Sequence, residues 1–294
     1  MRKIATLGFG EAARAFVSGW NSQAGADDLL SISTFDIRIE DRSQHEYFRE
    51  LCAQLNVTCA FSRQRAMHGR DAVFSLVTAD QALDAAKAVA SFIDKGSFFF
   101  DCNSCSPATK KKAALLIEAA GGHYVDVAVM SPVYPARHRT PLLLSGPCAQ
   151  SARLYLEELG MNAGYAGDRI GEASSIKMLR SVMVKGIEAL TAECFLAARR
   201  AGVEAQVMAS LQDSHPGMEW AACGAYNLER MIVHGKRRAA EMREVAATLD
   251  ELEVPSRMAL ASAAWQDQIA DTAVNPQGED FIARADAILK WLAP

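Results

Sequence analysis

The segment Lys3-Ile4-Ala5-Thr6-Leu7-Gly8-Phe9-Gly10-Glu11-Ala12-Ala13 decides the fold. An apolar run at residues 3–7 is typical of a buried strand, and the G-x-G-x-x-A pattern after it opens an amphipathic helix. The first glycine permits a tight turn, the second lets the backbone approach a pyrophosphate, and the small alanine allows close helix-to-strand packing. Any glycine-containing strand–turn–helix shares these letters, but the first-strand position favours dinucleotide binding. The predicted cofactor contacts in this segment are Gly8, Phe9, Gly10, Glu11 and Ala12.

The first half of the chain alternates short apolar runs with amphipathic segments. The predicted strands are residues 3–8, 30–36, 71–77, 96–101, 124–130 and 142–145, and the predicted helices are residues 11–20, 44–55, 81–93 and 107–120. This alternation is typical of a doubly wound parallel sheet with helices on both faces. We therefore expect a Rossmann-type α/β domain at residues 1–165.

From about residue 170 the pattern becomes helical almost without interruption. A long periodic stretch at residues 171–202 has no proline or paired glycines, and further helices are predicted at residues 219–233, 236–252, 256–271 and 278–291. Gly235, Pro255 and Pro276 separate these segments as stop signals. The pattern predicts an all-helical second domain at residues 166–294, joined to the first without a flexible linker.

Composition narrows the classes of partner. Of 294 residues 50% are hydrophobic and 22% charged, and the formal charge of −4 gives no general field for nucleic acid. No apolar run approaches the roughly 18 residues that span a bilayer, and the first apolar segment is too short for a signal peptide. Seven scattered cysteines, an odd number, favour reduced thiols. We expect a cytoplasmic protein with a small-molecule partner and neither a nucleic-acid nor a membrane partner.

The end of the second predicted strand bears on the choice between NAD and NADP. Asp36 ends that strand, where a carboxylate can accept hydrogen bonds from ribose hydroxyls and repel a 2′-phosphate. Arg38 and Arg42 follow closely, and either can pair with such a phosphate or simply lie in solvent. The expected cofactor is NAD or NADP, and Asp36 favours NAD.

Polar groups at the ends of later strands lie where an open α/β sheet places its ligand crevice. Val77 ends the 71–77 strand and Thr78 follows it, and Asn103 and Ser104 follow the 96–101 strand; Val77, Thr78 and Asn103 are predicted cofactor contacts. The neutral side chains of Asn103 and Ser104 can orient a carboxamide or a substrate hydroxyl. They also suit a turn or a helix cap, a role compatible with function.

Cys102 and Cys105 form a C-x-x-C motif in the same loop. No second pair occurs at zinc spacing, and the motif does not open a thioredoxin-type helix. We therefore predict neither a metal site nor a redox pair.

The long predicted helix carries a polar stripe on an otherwise apolar segment. Ser174, Lys177 and Ser181 lie at i, i+3 and i+7, with Arg180 beside them. A partly desolvated lysine that borders a cleft can exchange a proton with a carbonyl or alcohol oxygen. A lysine stem can also reach from a core helix to solvent, and the pattern alone leaves that alternative open.

With these residues in place, the chain resembles the β-hydroxyacid dehydrogenases over nearly its full length. This is the family of 3-hydroxyisobutyrate and 6-phosphogluconate dehydrogenases. Four blocks match in order: residues 8–13, 101–107 (like D-S-S-T-x-x-P), 126–132 (like D-A-P-V-S-G-G) and 171–177 (like G-x-G-x-x-x-K). The resemblance implies that Lys177 is the catalytic acid/base and that Asn103 and Ser104 contact nicotinamide and substrate. It also implies that residues 130–132 hold the substrate carboxylate, and that relatives dimerise through the C-terminal helices.

The chain departs from the family pattern where substrate binds. The S-G-G segment is Met130-Ser131-Pro132, and Pro132 has no N–H to donate. The asparagine expected four residues after the lysine is Ser181, beside Arg180, and His234 lies near a family lysine position that is not kept. We expect all six of these residues to contact substrate in an altered pocket. The helical half resembles a divergent branch labelled 6-phosphogluconate-dehydrogenase-like.

The sequence thus predicts an NAD(P)-dependent dehydrogenase, a homodimer, that moves hydride between nicotinamide and a small β-hydroxy acid or related hydroxy acid. Two alternatives remain. An imine or pyrroline reductase is compatible with Ser181, although the retained Lys177 argues against it. A non-catalytic nucleotide-sensing protein is compatible with the altered loop at residues 130–132.

Overall fold

The structure, a computed structural model, describes residues 2–23, 30–275 and 281–292. The first part of the chain forms an eight-stranded sheet. Its strands are β1 (Arg2–Leu7), β2 (Leu30–Phe35), β3 (Thr58–Cys59), β4 (Ala72–Ser75), β5 (Phe98–Asp101), β6 (His123–Val129), β7 (Leu142–Ser145) and β8 (Ala163–Gly167). All six predicted strands are present within two residues of their expected ends.

The strand order is β3-β2-β1-β4-β5-β6-β7-β8. Strands β1 to β6 are parallel, β7 is antiparallel to β6, and β8 is parallel to β7. Because β1, β2, β4, β5 and β6 are parallel, their carboxyl ends lie at one edge of the sheet. The strand order reverses beside β1, which is where open α/β sheets place their ligand crevice. The predicted fold class, a Rossmann-type sheet followed by helices, is confirmed, with β7 as the antiparallel exception.

Six α-helices of the described residues cover the two faces of the sheet: α1 (Glu11–Asn21), α2 (His45–Gln54), α3 (Arg63–Met67), α4 (Ala82–Val89), α5 (Pro107–Ala119) and α6 (Ala149–Glu158). One buried apolar cluster contains residues of α1, α2 and α6, and a second contains residues of α3, α4 and α5. Ile4 belongs to the first cluster and its neighbour Ala5 to the second, because side chains of a strand alternate between faces.

Among the strands and α-helices described in this half, β3, β8, α3 and α6 were not predicted. Strand β3 has two residues, and β8 reads Ala-Gly-Tyr-Ala-Gly, which has little intrinsic strand preference. These strands form because neighbouring strands offer them hydrogen bonds, which a local pattern does not reveal.

The remaining helices are α7 (Glu172–Ala201), α8 (Glu204–Ser214), α9 (Trp220–Glu251), α10 (Arg257–Asp271) and α11 (Phe281–Trp291). By internal contacts the chain divides into two compact units, Met1–Lys177 and Met178–Pro294. In the second unit, residues of α7, α9, α10 and α11 share a buried apolar cluster around Phe195 and Met231. None of the helices in residues 2–23, 30–275 and 281–292 combines the length and the hydropathy that a membrane-spanning helix needs.

One predicted helix boundary is wrong. Gly235 was expected to separate two helices, but α9 continues through it from Trp220 to Glu251. Glycine in a helix interior costs only about 1 kcal/mol relative to alanine, and here it permits close packing. A Cβ on Gly235 would overlap the main-chain oxygen of Gln266 and lie 2.8 Å from the Cβ of Ala270, both on α10. The predicted stop at Pro276 lies outside the described residues.

Candidate functional site

The glycine turn between β1 and α1 has the geometry of a phosphate cradle. Gly8 has φ +89°, and a Cβ there would lie 2.7 Å from the main-chain oxygen of Leu76. A Cβ on Gly10 would meet no atom within 4 Å, so the backbone is open to an approaching group at this point. Gly10 precedes the first residue of α1 and makes no side-chain cap, which leaves the start of the helix available to an anion.

Other predicted contacts of the turn have distinct positions. Phe9 has a buried side chain, and its N–H donates to Asp36 Oδ2 at 2.8 Å. Glu11 and Ala12 form the first turn of α1, and Ala13 packs in the core. The turn therefore offers main-chain groups to a ligand, and the exposed side chain of Glu11 lies beside them.

Asp36 is held in a network of protein donors at the end of β2. Arg38 donates to it through its main-chain N–H and, in a bidentate pair, through Nε at 2.8 Å and Nη2 at 2.9 Å. Burial alone would raise the pKa of Asp36, but the hydrogen bonds from Arg38 and Phe9 outweigh it and hold the pKa below its usual value. The half-exposed Arg38 thus neutralises the carboxylate that was expected to repel a 2′-phosphate.

Asn103 ties the loop after β5 to the loop after β4. Its Nδ2 donates to Asp101 Oδ1 at 2.7 Å and to Ser75 Oγ at 2.9 Å, and its Oδ1 accepts from the Val77 N–H at 2.8 Å. Both amide hydrogens are therefore used, and one lone pair of Oδ1 remains. Thr78, the next residue along, is exposed.

Lys177 contacts Ser104. The Lys177 side chain is half-buried near the start of α7, and its Nζ donates to Ser104 Oγ at 2.6 Å. Both residues belong to the first unit, and Ser104 lies beyond the carboxyl end of β5, at the same sheet edge as the glycine turn. The structure thus brings together two of the three residues predicted to be catalytic, with Asn103 adjacent in the chain.

The loop at residues 130–132 follows β6 at this edge. The Met130 N–H donates to the main-chain oxygen of Pro141 at 2.9 Å, and Pro132 has no N–H. Ser131 is exposed, with its hydroxyl 3.4 Å from the main-chain oxygen of Pro132. Ser131 is therefore the residue of this loop best able to donate to a substrate.

The other predicted substrate residues belong to the second unit. Arg180 is exposed and Ser181 buried on α7, three and four residues after Lys177, and His234 is half-buried on α9. Their contact with substrate stays a prediction.

The cysteines of the C-x-x-C motif are both buried, and neither is in a disulfide bond in the structure. Burial raises the pKa of Cys102 to about 12, so its thiol is protonated near neutral pH. In the described ranges, no group of three or more His, Cys, Asp and Glu could hold a metal ion.

Sequence reasoning missed the buried residues beneath this site. Lys110 and Tyr124 both contact Asp101, through Nζ at 3.0 Å to Oδ1 and through the phenol at 2.6 Å to Oδ2. Burial and the charges of Asp101 and Asp126 raise the pKa of Tyr124 well above its usual value. Lys110 lies in a run of three lysines that reads as solvated surface, so no local signal marked it.

Comparison with known proteins places these features in a family. Residues 29–167 match the NAD-binding domain of 6-phosphogluconate dehydrogenase, and residues 198–269 match a domain of unknown function, DUF1932. The chain therefore carries a nicotinamide-cofactor domain, which supports an NAD(P)-dependent oxidoreductase.

Solved structures extend the similarity to the whole chain. A conserved hypothetical protein from Sinorhizobium meliloti 1021 is 32% identical, with TM-score 0.78 over 99% of this chain and 97% of that one. A conserved protein of unknown function, described as structurally similar to 3-hydroxyacid dehydrogenases, is 30% identical, with TM-score 0.71 over 92% and 97%.

The fold also matches an enzyme of known activity. Mycobacterium tuberculosis 3-hydroxyisobutyrate dehydrogenase with L-serine has TM-score 0.72 over 98% of this chain and 99% of that one, and its 17% identity shows the fold alone. The predicted resemblance is confirmed: the chain belongs to the β-hydroxyacid dehydrogenase-like family, as a divergent member.

Proposed function

We propose that this protein is an NAD(P)-dependent dehydrogenase of a small β-hydroxy acid or related hydroxy acid, with Lys177 as its general acid/base. The observation that carries the proposal is the 2.6 Å contact of Lys177 Nζ with Ser104 Oγ, at the sheet edge where the glycine turn lies. A lysine amine that a hydroxyl orients at this sheet edge can exchange a proton with a reacting oxygen.

The residues at this edge fit a dinucleotide. The open face of Gly10 and the start of α1 would hold the pyrophosphate, and Asp36 with Arg38 would face the adenosine ribose. The free lone pair of Asn103 Oδ1 would accept a hydrogen bond from the carboxamide. Val77 and Thr78 complete the proposed contacts. The cofactor, when bound, supplies the hydride acceptor or donor at its nicotinamide ring.

The chain's own part in the chemistry is proton transfer. During alcohol oxidation the neutral amine of Lys177 takes the hydroxyl proton of the substrate, and Ser104 keeps the amine aimed at that oxygen. The ammonium that forms stabilises alkoxide character, which is stronger in the transition state than in the ground state. In the reverse direction Lys177 donates the proton to the carbonyl oxygen.

In this proposal the loop at residues 130–132 recognises substrate differently from the S-G-G loop of the family pattern, which has two glycines. Ser131 offers donors to the carboxylate, whereas Met130 and Pro132 shape the loop. Arg180 and Ser181, on the helix that carries Lys177, and His234 are proposed as the remaining substrate contacts. A guanidinium suits a carboxylate because it can donate two parallel hydrogen bonds.

The proposal is tested by assaying the full chain with NAD⁺ and with NADP⁺ against small hydroxy acids, including 3-hydroxyisobutyrate and L-serine. Reduced cofactor should form with at least one acid, and Ser104→Ala should lower kcat/KM by about tenfold or more, because the lysine loses its orienting partner. Reduction of cyclic imines with no hydroxy-acid turnover would instead support an imine reductase. Tight cofactor binding with no turnover of either class would support a nucleotide sensor.

A further inference from the structure

Four neighbouring strands place one buried polar residue each in a single row across the sheet. Ser75 on β4 is paired with Asp101 on β5, Asp101 with Asp126 on β6, and Asp126 with Ser145 on β7. All four residues are 0% exposed. Directly paired residues of neighbouring strands project to the same face, so the row brings two carboxylates together inside the protein. Buried carboxylates need a cation or hydrogen-bond donors to be tolerated.

Lys110 on α5 supplies the positive charge. Its Nζ lies 2.6 Å from the main-chain oxygen of Asp101, 3.0 Å from Asp101 Oδ1 and 3.4 Å from Asp126 Oδ1. No residue of the described ranges donates a hydrogen bond to Asp126 Oδ1, so this ion pair is what offsets the burial of that oxygen. Burial alone would lower the pKa of Lys110, but attraction to the carboxylates outweighs it and raises the pKa. The ammonium therefore stays charged.

Each carboxylate holds one side of the candidate site. Asp101 Oδ1 accepts from the main-chain N–H of Asn103 at 3.0 Å and from its amide at 2.7 Å, which holds the loop after β5. Asp126 Oδ2 accepts from the N–H of Gly171 at 3.1 Å, from the N–H of Ser174 at 3.0 Å and from the Ser174 hydroxyl at 2.9 Å. Asp126 thus caps the start of α7, although it is distant in sequence.

These contacts form a closed ring. Lys177 lies one helical turn after Ser174, and its contact with Ser104 joins α7 back to the loop that Asp101 holds. We propose that Lys110 is a positioning residue, which holds Asp101 and Asp126 together and thereby sets how the amine of Lys177 faces Ser104. The inference rests on the proposed function only in treating Lys177 as the acid/base, since the ring exists whatever the substrate is.

The test follows Lys177 directly by NMR in full-length protein labelled with [ε-¹³C]lysine, with Lys177→Gln used to assign its signal. Lys110→Met removes the central ammonium, and Ser174→Ala removes one contact to Asp126 while the charged groups stay intact. The matched controls are Lys112→Met, an exposed lysine of the same helix, and Ser175→Ala, the neighbouring serine of α7. Circular dichroism and melting temperature report whether each variant is folded.

We expect the titration midpoint of Lys177 to move by about half a pH unit or more in Lys110→Met and Ser174→Ala, because the charges and dipoles around the amine shift. Neither control should move it. Folded variants in which Lys177 titrates as in the unchanged protein would overturn the proposal, and Ser174→Ala alone decides if Lys110→Met does not fold. Absence of dehydrogenase turnover in the unchanged protein would contradict the proposed function while leaving this result valid.

Discussion

At the scale of single residues, the two glycines of the turn do different work. Gly8 needs its positive φ and has no room for a Cβ, whereas Gly10 has an ordinary negative φ and open space beside it. A side chain at Gly8 would therefore strain the protein itself. A side chain at Gly10 would occupy only the space that we assign to the pyrophosphate.

We predict that Gly10→Val weakens NADH and NADPH binding by about 100-fold or more, because its side chain displaces the pyrophosphate from the start of α1. The melting temperature without cofactor should stay near that of the unchanged protein. Fluorescence titration of reduced cofactor measures the affinity, and undiminished binding by the folded variant would place the cofactor elsewhere.

The second prediction at this scale concerns Arg38 and the choice between NADPH and NADH. Its bidentate pair with Asp36 offsets the charge that would repel a 2′-phosphate. Arg38→Ala should weaken NADPH binding by about tenfold and change NADH binding little. Arg42→Ala, an exposed arginine nearby, is the comparison. If Arg38→Ala lost equal affinity for both cofactors, or if Arg42→Ala weakened NADPH binding more, Arg38 would have no role in cofactor selection.

At the scale of elements, the uninterrupted α9 shows how packing overrides a local stop signal. Helix propensity alone says that Gly235→Ala stabilises, but the close approach of α10 reverses that expectation. We predict that Gly235→Ala lowers the free energy of unfolding by about 1–3 kcal/mol. The matched control is Gly186→Ala in α7, where a Cβ meets nothing within 4 Å and should raise it by up to about 1 kcal/mol. Urea unfolding measures both, and stabilisation by Gly235→Ala would contradict the packing described.

The elements also show which parts of the fold local sequence predicts. Strands β1, β2, β4, β5, β6 and β7 were predictable because each is an apolar run bounded by turn residues. Strands β3 and β8 were not, since they depend on neighbouring strands. The glycine turn was predicted from its spacing, and Lys177 from a polar stripe together with the family resemblance; the roles of both stay predictions. Lys110 was not found, because its sequence neighbours are exposed lysines. Its special position depends on the pairing of β5 with β6, which puts Asp101 beside Asp126 within reach of its ammonium.

At the scale of the whole molecule, the homodimer stays a prediction. Helices of the second unit expose large apolar side chains, including Met183 (66%), Leu190 (56%) and Tyr226 (57%). Exposed apolar surface marks interaction sites when it is contiguous, so we predict that these helices form the dimer interface. We predict a solution mass near twice 31.8 kDa by light scattering. Met183→Glu should reduce this mass toward that of the monomer. Leu115→Glu, at a similarly exposed side chain (71%) on α5 of the first unit, should not. A monomeric unchanged protein would contradict the dimer.

The whole account depends on the amine of Lys177 as the proton carrier, and the kinetics of Lys177→Met with an accepted hydroxy acid test it most directly. We predict that kcat/KM falls by about 10²–10⁴-fold while NADH and NADPH bind within about twofold of the unchanged protein. Lys112→Met should behave as the unchanged protein does. Turnover by Lys177→Met at the original rate, with cofactor binding intact, would contradict the account.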